Sequence, residues 1–413
     1  HVLSTWAPNV PWLAWSPDGK QLGFLQGQEL RYNAYIDDRL AVTEVRTGKI
    51  RDLTGKLDRG IYSPRFASDG RSIVFAVEDD GWQYPAQVTL ADGTITRLAG
   101  AVVVHQLATA GDHTAVLVSS DTAPTEVFAL EDGKLRALTA HNRALFAELA
   151  LGSVADIAFK SRDGADIHGQ IIKPPDYVPG RRYPTLLWIH GGPQGQDDHS
   201  LELAGYGPPL ERQLFATHGY VVLAVNYRGG TGRGMEFAHA IVADWGHKEV
   251  MDLLAAVDWA VQQGIADPER LGIGGWSYGG LLTDYTIASD TRFKAAIAGA
   301  GSGNQLGTYG SDEYILEYDA EIGPPWSNTA LWLKLSYPFF HADRIRTPTL
   351  FMGGDKDFDV PIGGGEQMYQ ALRSLGVPTQ LIVYPGEYHT LTRPSFLVDR
   401  WRRFLDWMGQ HLK

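Results

Sequence analysis

Cysteine is absent from all 413 residues. That absence excludes disulfides, thiolate nucleophiles and thiolate metal sites together, and it fits a cytoplasmic chain as well as a periplasmic or secreted one. No apolar run approaches about 18 residues, so the sequence holds no candidate membrane-spanning helix. The opening HVLSTWAPNV lacks the basic-then-apolar layout of a signal peptide, and the first residue is His1 rather than Met. Processing, a fragment or a missing native N-terminus is the expectation from that start. Basic clusters are lacking too. A formal charge of −12 and a pI near 5.5 argue against nucleic acid or a membrane surface as partner, because both demand Lys/Arg patches. Neither HExxH nor GxxxxGK[ST] occurs, and Asp197, Asp198 and His199 read as solvated loop rather than metal ligands, so no metal and no cofactor is expected.

What is present is ample material for packed cores. With 44% hydrophobic and 11% aromatic residues, a chain of this length should hold two or three domains. From 1 to about 150, short β-type runs alternate with turns, and three segments resemble one another: Thr47 to Thr54 (TGKIRDLT), Asp92 to Ala99 (DGTITRLA) and Asp132 to Thr139 (DGKLRALT). Each follows a strand-like run and reads as a hairpin turned on a glycine. Gly48, Gly93 and Gly133 lie 45 and 40 residues apart, and WSPDGK before QLGFL and ASDGR before SIVFAV keep the same beat. About four strands per 40 to 45 residues is the signature of β-propeller blades, with a generic β-sandwich as the rival. Three blades are visible in residues 1–150, whereas closed propellers usually have at least four.

From 151 to 413 apolar strands alternate with helices, which predicts an α/β fold with a mostly parallel sheet covered on both faces. The strand candidates are Tyr183 to His190, Tyr220 to Asn226, Arg270 to Gly274 after a turn at Asp267 and Pro268, Lys294 to Ala298, Thr349 to Phe351 and Thr379 to Tyr384. Helical stripes run through Val250, Leu253, Leu254, Val257 and Val261, and through Leu397, Trp401, Phe404, Leu405, Met408 and Leu412. These stripes read as core.

The chemistry centres on Leu271 to Gly280, LGIGGWSYGG, a GxSxG pattern where a strand should end and a helix begin. A serine hydroxyl is a poor nucleophile unless a sharp turn holds it beside a base, and flanking glycines let the backbone make that turn, so Ser277 is the candidate nucleophile. In this fold class the order is Ser, acid, His. Of the histidines after Ser277, His411 lies on the terminal amphipathic stripe and His341 precedes the strand that should carry the acid. His389 is left as the base. The loop after Thr349 to Phe351 offers Asp355, Asp357 and Asp359, and periodicity does not choose among them. For the oxyanion hole, the Tyr278 backbone N–H is one candidate donor, and the HGGP turn at 190–193 should supply the other.

HGGP at 190, NYRGGTGRG at 226, GWSYGG at 275, GxxDxxVP from Gly354 and PGEYH at 385 occur in the order and spacing of the prolyl oligopeptidase family. Together they resemble its acylaminoacyl peptidase and dipeptidyl peptidase branches, strongly over about 154–413 and weakly over the propeller-like half. The resemblance implies an α/β-hydrolase fold preceded by a partial β-propeller. It also implies a serine peptidase acting on short peptides, with Asp357 as the acid and Gly192 and Tyr278 as oxyanion donors. An aromatic S1 pocket is implied near Tyr278 and the 301–326 segment, where Tyr309, Tyr314 and Trp326 are candidates. Family members carry seven or eight blades, so the remaining blades are expected from a missing N-terminal portion or another polypeptide. Without them, open β-edges favour a homo-oligomer. A carboxylesterase with the same triad, and a non-catalytic propeller scaffold, are the competing readings.

Overall fold

The computed structural model describes residues 12–27, 29–35, 38–201 and 208–412, and the opening stretch read above for targeting lies outside them. Two compact units emerge: His1–Leu149 with Asp198–Glu202 and Gly230–His239, and Ala150–Asp197 with Leu203–Gly229 and Ala240–Lys413.

In the first unit the repeats become antiparallel meanders of four strands. Leu13–Trp15, Gln21–Gln26, Arg39–Glu44 and Ile50–Asp52 pair in chain order. Ile61–Phe66, Ser72–Asp79, Trp82–Thr89 and Ile95–Arg97 do the same. So do Val103–Ala110, His113–Ser120, Ala123–Glu131 and Lys134–Ala137. A single bridge between Gln83 and Val103 joins the last two sets. Strand Ser72–Asp79 (SIVFAVED) lacks polar alternation because both of its faces are covered. Ile73, Phe75 and Val77 pack with Leu25, Leu40 and Val42, while Val74 and Ala76 pack with Val104, Leu107 and Val116. Stacking meanders face to face in this way is how propeller blades bury surfaces that no single blade could cover.

The second unit is built on one eight-stranded sheet. Its strands are β1 (Ser153–Lys160), β2 (Asp166–Lys173), β3 (Tyr183–Ile189), β4 (Val221–Asn226), β5 (Ala266–Trp276), β6 (Ala295–Gly299), β7 (Thr349–Gly354) and β8 (Thr379–Tyr384). Their spatial order is β1-β2-β4-β3-β5-β6-β7-β8. The β1-β2 and β2-β4 pairs are antiparallel and the rest are parallel. All six expected strands are present, and the antiparallel β1-β2 hairpin is added to them. β5 begins before the expected turn; Asp267 Oδ1 still accepts the Glu269 N–H at 3.1 Å, and the pairing register with β3 shifts between Tyr183 and Thr185.

Five longer helices accompany the sheet: α1 (Pro208–Thr217), α2 (Lys248–Gln262), α3 (Tyr278–Ser289), α4 (Gly363–Ser374) and α5 (Pro394–His411). The α5 stripe does enter the core, with Phe404, Met408 and Leu412 buried beside Trp188 and Phe215. Trp188 meets Phe215 and Phe404 edge-on at 4.8 and 5.1 Å between centroids. Two polar residues join them: Arg400 Nη2 donates to Glu211 Oε1 at 2.6 Å, and Glu211 Oε2 accepts from Trp188 Nε1 at 3.1 Å. Truncating either partner of a buried pair like this would leave an uncompensated charge. Among the described residues no helix is long and apolar enough to cross a membrane.

The expectation for Asp197 to His199 needs correction. Asp197 and His199 are buried rather than solvated. Asp197 is ion-paired with Arg212, and its backbone N–H and C=O both bond the Asn226 amide. His199 Nδ1 lies 2.9 Å from Asp121 Oδ2, and its ring stacks on Trp82 at 4.0 Å. The charges suggested solvent, but each has found a counter-group distant in sequence.

Candidate active site

Ser277 sits between the end of β5 and the start of α3, at φ 61° and ψ −126°. A non-glycine residue in such a conformation costs on the order of 1–3 kcal/mol and persists only where its surroundings impose it. Here they do: Ser277 N–H donates to the Gly299 carbonyl of β6 at 3.0 Å, and its own carbonyl accepts from Leu281 N–H at 3.0 Å. The flanking glycines are required by space. A Cβ on Gly275 would lie 2.4 Å from the Ile189 carbonyl oxygen, one on Gly279 would lie 2.2 Å from the same atom, and one on Gly280 would lie 2.3 Å from the Gly299 carbonyl oxygen. The sharp turn therefore needs these three positions bare.

The turn after β3 approaches Ser277 closely. A Cβ placed on Gly191 would be 3.2 Å from Ser277 Cβ and 3.8 Å from its Oγ. His190 is buried, its Nδ1 lies 2.7 Å from the Gly191 carbonyl oxygen, and burial pushes its pKa below the usual histidine range. Tyr227 stacks on the His190 ring at 4.3 Å and donates to the His190 carbonyl at 3.0 Å. That backbone is thus held from both sides.

Of the three aspartates after β7, one meets the histidine. Asp357 Oδ2 lies 2.7 Å from His389 Nδ1, while its Oδ1 accepts the backbone N–H groups of Asp359 at 3.0 Å and Val360 at 2.8 Å. A carboxylate can only accept, so Nδ1 carries the proton of this pair, and Nε2 of a neutral ring keeps the lone pair that a base needs. Asp355 is exposed and caps the Gly386 N–H at 2.6 Å. Asp359 accepts from the Tyr314 hydroxyl, and its Oδ2 lies 3.5 Å from His389 Nε2.

The acid and base loops are tied to each other and to the serine turn. Lys356 N–H donates to the Glu387 carbonyl at 3.0 Å, and buried Glu387 accepts the Thr392 N–H at 2.5 Å and pairs with Arg393 at 3.1 Å. Trp276 Nε1 donates to the His389 carbonyl at 3.0 Å. The indole before Ser277 therefore clamps the segment that carries the candidate base, a role that its place in GWSYGG did not reveal.

Of the pocket candidates, Tyr314 is brought to the His389 side through Asp359. Tyr309 instead meets Trp326 and Trp332 edge-on at 6.1 and 5.0 Å, and Trp326 is 77% exposed. Sequence reading also missed Glu249. It comes just before Val250, the first residue of the α2 stripe assigned to core, it is buried, and its Oε1 accepts from Tyr278 Oη at 2.7 Å and from Gly246 N–H at 3.0 Å. Its neighbour Asp252 is buried as well and pairs with Arg228 at 2.7 Å. A buried acid at the spacing of a helical core stripe was the available signal.

This geometry is joined by likeness to known proteins. Residues 208–413 match the profile of the prolyl oligopeptidase family. The chain belongs to that family. A Bacillus subtilis member, named as the uncharacterized peptidase YuxL, is 30% identical over 308 residues, 73% of this chain and 46% of the relative. Dipeptidyl-peptidase 5 of Porphyromonas gingivalis is 27% identical over 409 residues, 96% of this chain and 58% of the relative. The chain spans about half the length of the curated relatives it matches. Among solved structures of the family, Pyrococcus horikoshii acylaminoacyl peptidase aligns with a TM-score of 0.86 at 24% identity, over 99% of this chain and 64% of that one. That likeness carries the fold, a partial β-propeller followed by an α/β hydrolase.

Proposed function

We propose that this prolyl oligopeptidase family chain is a serine peptidase that cleaves short peptides through an acyl-enzyme, with residues 1–150 as the partial propeller and 151–413 as the catalytic domain. The single observation that carries the reading is the 2.7 Å pair of His389 Nδ1 and Asp357 Oδ2, in the unit where a strained Ser277 turn abuts the HGGP backbone. Ser277 Oγ attacks the scissile carbonyl while His389 Nε2 takes its proton, and Asp357 steadies the imidazolium. The N–H groups of Gly192 and Tyr278 receive the oxyanion. His389 then returns the proton to the leaving amine, and water attacks the ester to restore Ser277. Tyr314 is the pocket candidate best supported, because its hydroxyl is bonded beside the base. The names of the relatives, dipeptidyl and acylamino-acid-releasing peptidases, support a short peptide as substrate.

A fluorophosphonate followed by peptide mapping tests the assignment. The expected label is on Ser277, and Ser277→Ala should lower turnover by about 10⁴ or more. A label on another serine, or an active protein that takes no label, would sink it. Relative rates on matched anilides and esters distinguish a peptidase from an esterase.

A further inference from the structure

The proposed mechanism makes no use of the Glu249 carboxyl, which lies in the first turn of α2 and is buried. Its Oε1 joins two backbone segments that are not adjacent in sequence. One is the turn before α2, through the Gly246 N–H at 3.0 Å, and the other is the start of α3, through the Tyr278 hydroxyl at 2.7 Å. The second oxygen, Oε2, is buried without a hydrogen-bond partner among the described residues. Two hydrogen bonds against the burial of a half-satisfied carboxyl contribute little net stability. What the group does supply is a fixed point for the residue that follows Ser277.

From Tyr278 the contact continues: its ring stacks on Tyr227 at 6.3 Å, and Tyr227 stacks on His190 and donates to the His190 carbonyl. One packed series thus runs from Glu249 through Tyr278 and Tyr227 to the HGGP turn, linking the two segments that would supply oxyanion donors. We infer that Glu249 is a positioning residue for the oxyanion hole, acting by holding the Tyr278 phenol so that the Tyr278 backbone N–H keeps its aim. This rests on the peptidase reading above. The ionisable groups around Glu249 are Asp252 on its own helix, Tyr278 and Tyr285 on α3, and Tyr227 after β4. None of them is a cation, so burial dominates and lifts the Glu249 pKa to about 7.

The test compares Glu249→Ala, Glu249→Gln, Tyr278→Phe and the Glu249→Ala/Tyr278→Phe double variant in the full chain. Readouts are kcat and KM on a peptidyl anilide, the rate of fluorophosphonate labelling, and the melting temperature. Tyr278→Phe keeps the ring and the backbone N–H but removes the tether. It should lower kcat about tenfold, less than the 10²–10³ of losing a donor outright, with KM within about twofold. Glu249→Ala should match that loss, the double variant should be no worse than the poorer single, and Glu249→Gln, which keeps the accepting oxygen, should restore most of kcat. Wild-type kcat in Tyr278→Phe, or single losses that multiply in the double variant, would overturn the inference. Should Glu249→Ala fail to fold, Tyr278→Phe and Glu249→Gln still decide. Activity surviving in Ser277→Ala would instead defeat the peptidase reading. An inactive Ser277→Ala beside an unaffected Tyr278→Phe defeats the positioning role alone.

Discussion

The turns of the propeller-like unit and the turns of the α/β unit use the same two residue types for different physical reasons. In the hairpin of Asp92 and Gly93, Gly93 has φ +75° and open space where a side chain would go, and Asp92 Oδ1 accepts the Thr94 N–H at 2.9 Å. Glycine serves there for its backbone conformation and aspartate for its local turn bond. In the α/β unit Gly275 and Gly279 have no positive φ, and a Cβ on either would collide with a neighbouring carbonyl. Asp357 makes the same kind of local turn bonds with one oxygen and gives the other to His389. The loop after β7 is thus an ordinary aspartate turn with one acceptor left over, and a residue 32 positions later takes it up.

If that comparison is right, Asp357→Asn should be the most damaging of the aspartate changes. An amide at Asp357 can keep the turn bonds but favours the wrong histidine tautomer, for which a loss of about 10⁴ in kcat is the expected scale. Asp355→Asn should stay within about threefold of wild type, since its bond to Gly386 survives in an amide oxygen. Near-wild-type turnover in Asp357→Asn, with a collapse in Asp355→Asn or Asp359→Asn, would reduce Asp357 to a turn residue like Asp92.

Gly279→Ala comes next in size. The added methyl meets the Ile189 carbonyl at 2.2 Å, so α3 must shift. A displacement of about 1 Å at the serine turn should cost about 10²-fold in kcat/KM. Fluorophosphonate labelling should slow in parallel; an unchanged labelling rate would show that the close approach is not needed.

The titration of buried against exposed carboxyls provides the third contrast. Glu249 is lifted from 4.5 to about 7 by burial, so between those values the folded protein holds a proton that the unfolded chain has lost. Its contribution to stability therefore falls as pH rises from about 4.5 and levels off above about 7. Over that window wild type should lose about 3 kcal/mol relative to Glu249→Gln, an order-of-magnitude figure read by denaturant melts at pH 5 and 8. Asp92 behaves oppositely. The Thr94 N–H lowers its pKa, so what it contributes is present above the ordinary aspartate range and is lost as pH falls. A difference between wild type and Glu249→Gln that is flat in pH would break the contrast.

The smallest effect belongs to the hairpin. Gly93→Ala should cost about 1 kcal/mol, because only the φ is unfavourable, and Gly93→Asn should cost less, since asparagine tolerates this region better. Both should leave peptidase activity unchanged. A large loss from Gly93→Asn would mean that space matters there too.

The spacing of Gly48, Gly93 and Gly133 was enough to anticipate the meanders, and the alternation after 151 was enough to anticipate the parallel strands, because turn chemistry and apolar periodicity are local. The β1-β2 hairpin gave no clear signal since SVADIAFK is covered at few positions, and DIHGQIIK, though mostly buried, mixes polar residues and a glycine among its apolar ones. Glu249 escaped because a stripe of Val and Leu at helical spacing argues for core whatever acid precedes it, and burial alone does not name a partner.

What the sequence determined by itself was therefore every feature whose cause lies within a few residues: a serine on a glycine-flanked strand-to-helix turn, aspartates in a loop after a strand, and a histidine in the next one. Among the three aspartates local pattern made no choice, the family resemblance implied Asp357, and the fold brings it to His389; tertiary structure alone decided that Trp276 holds the His389 carbonyl 113 residues away, and that Glu249 reaches Tyr278 across 29 residues. Those choices depend on the distance and direction between side chains from separate elements. Such distances arise only when the sheet order sets β5, β6, β7 and β8 side by side, and no local pattern encodes them.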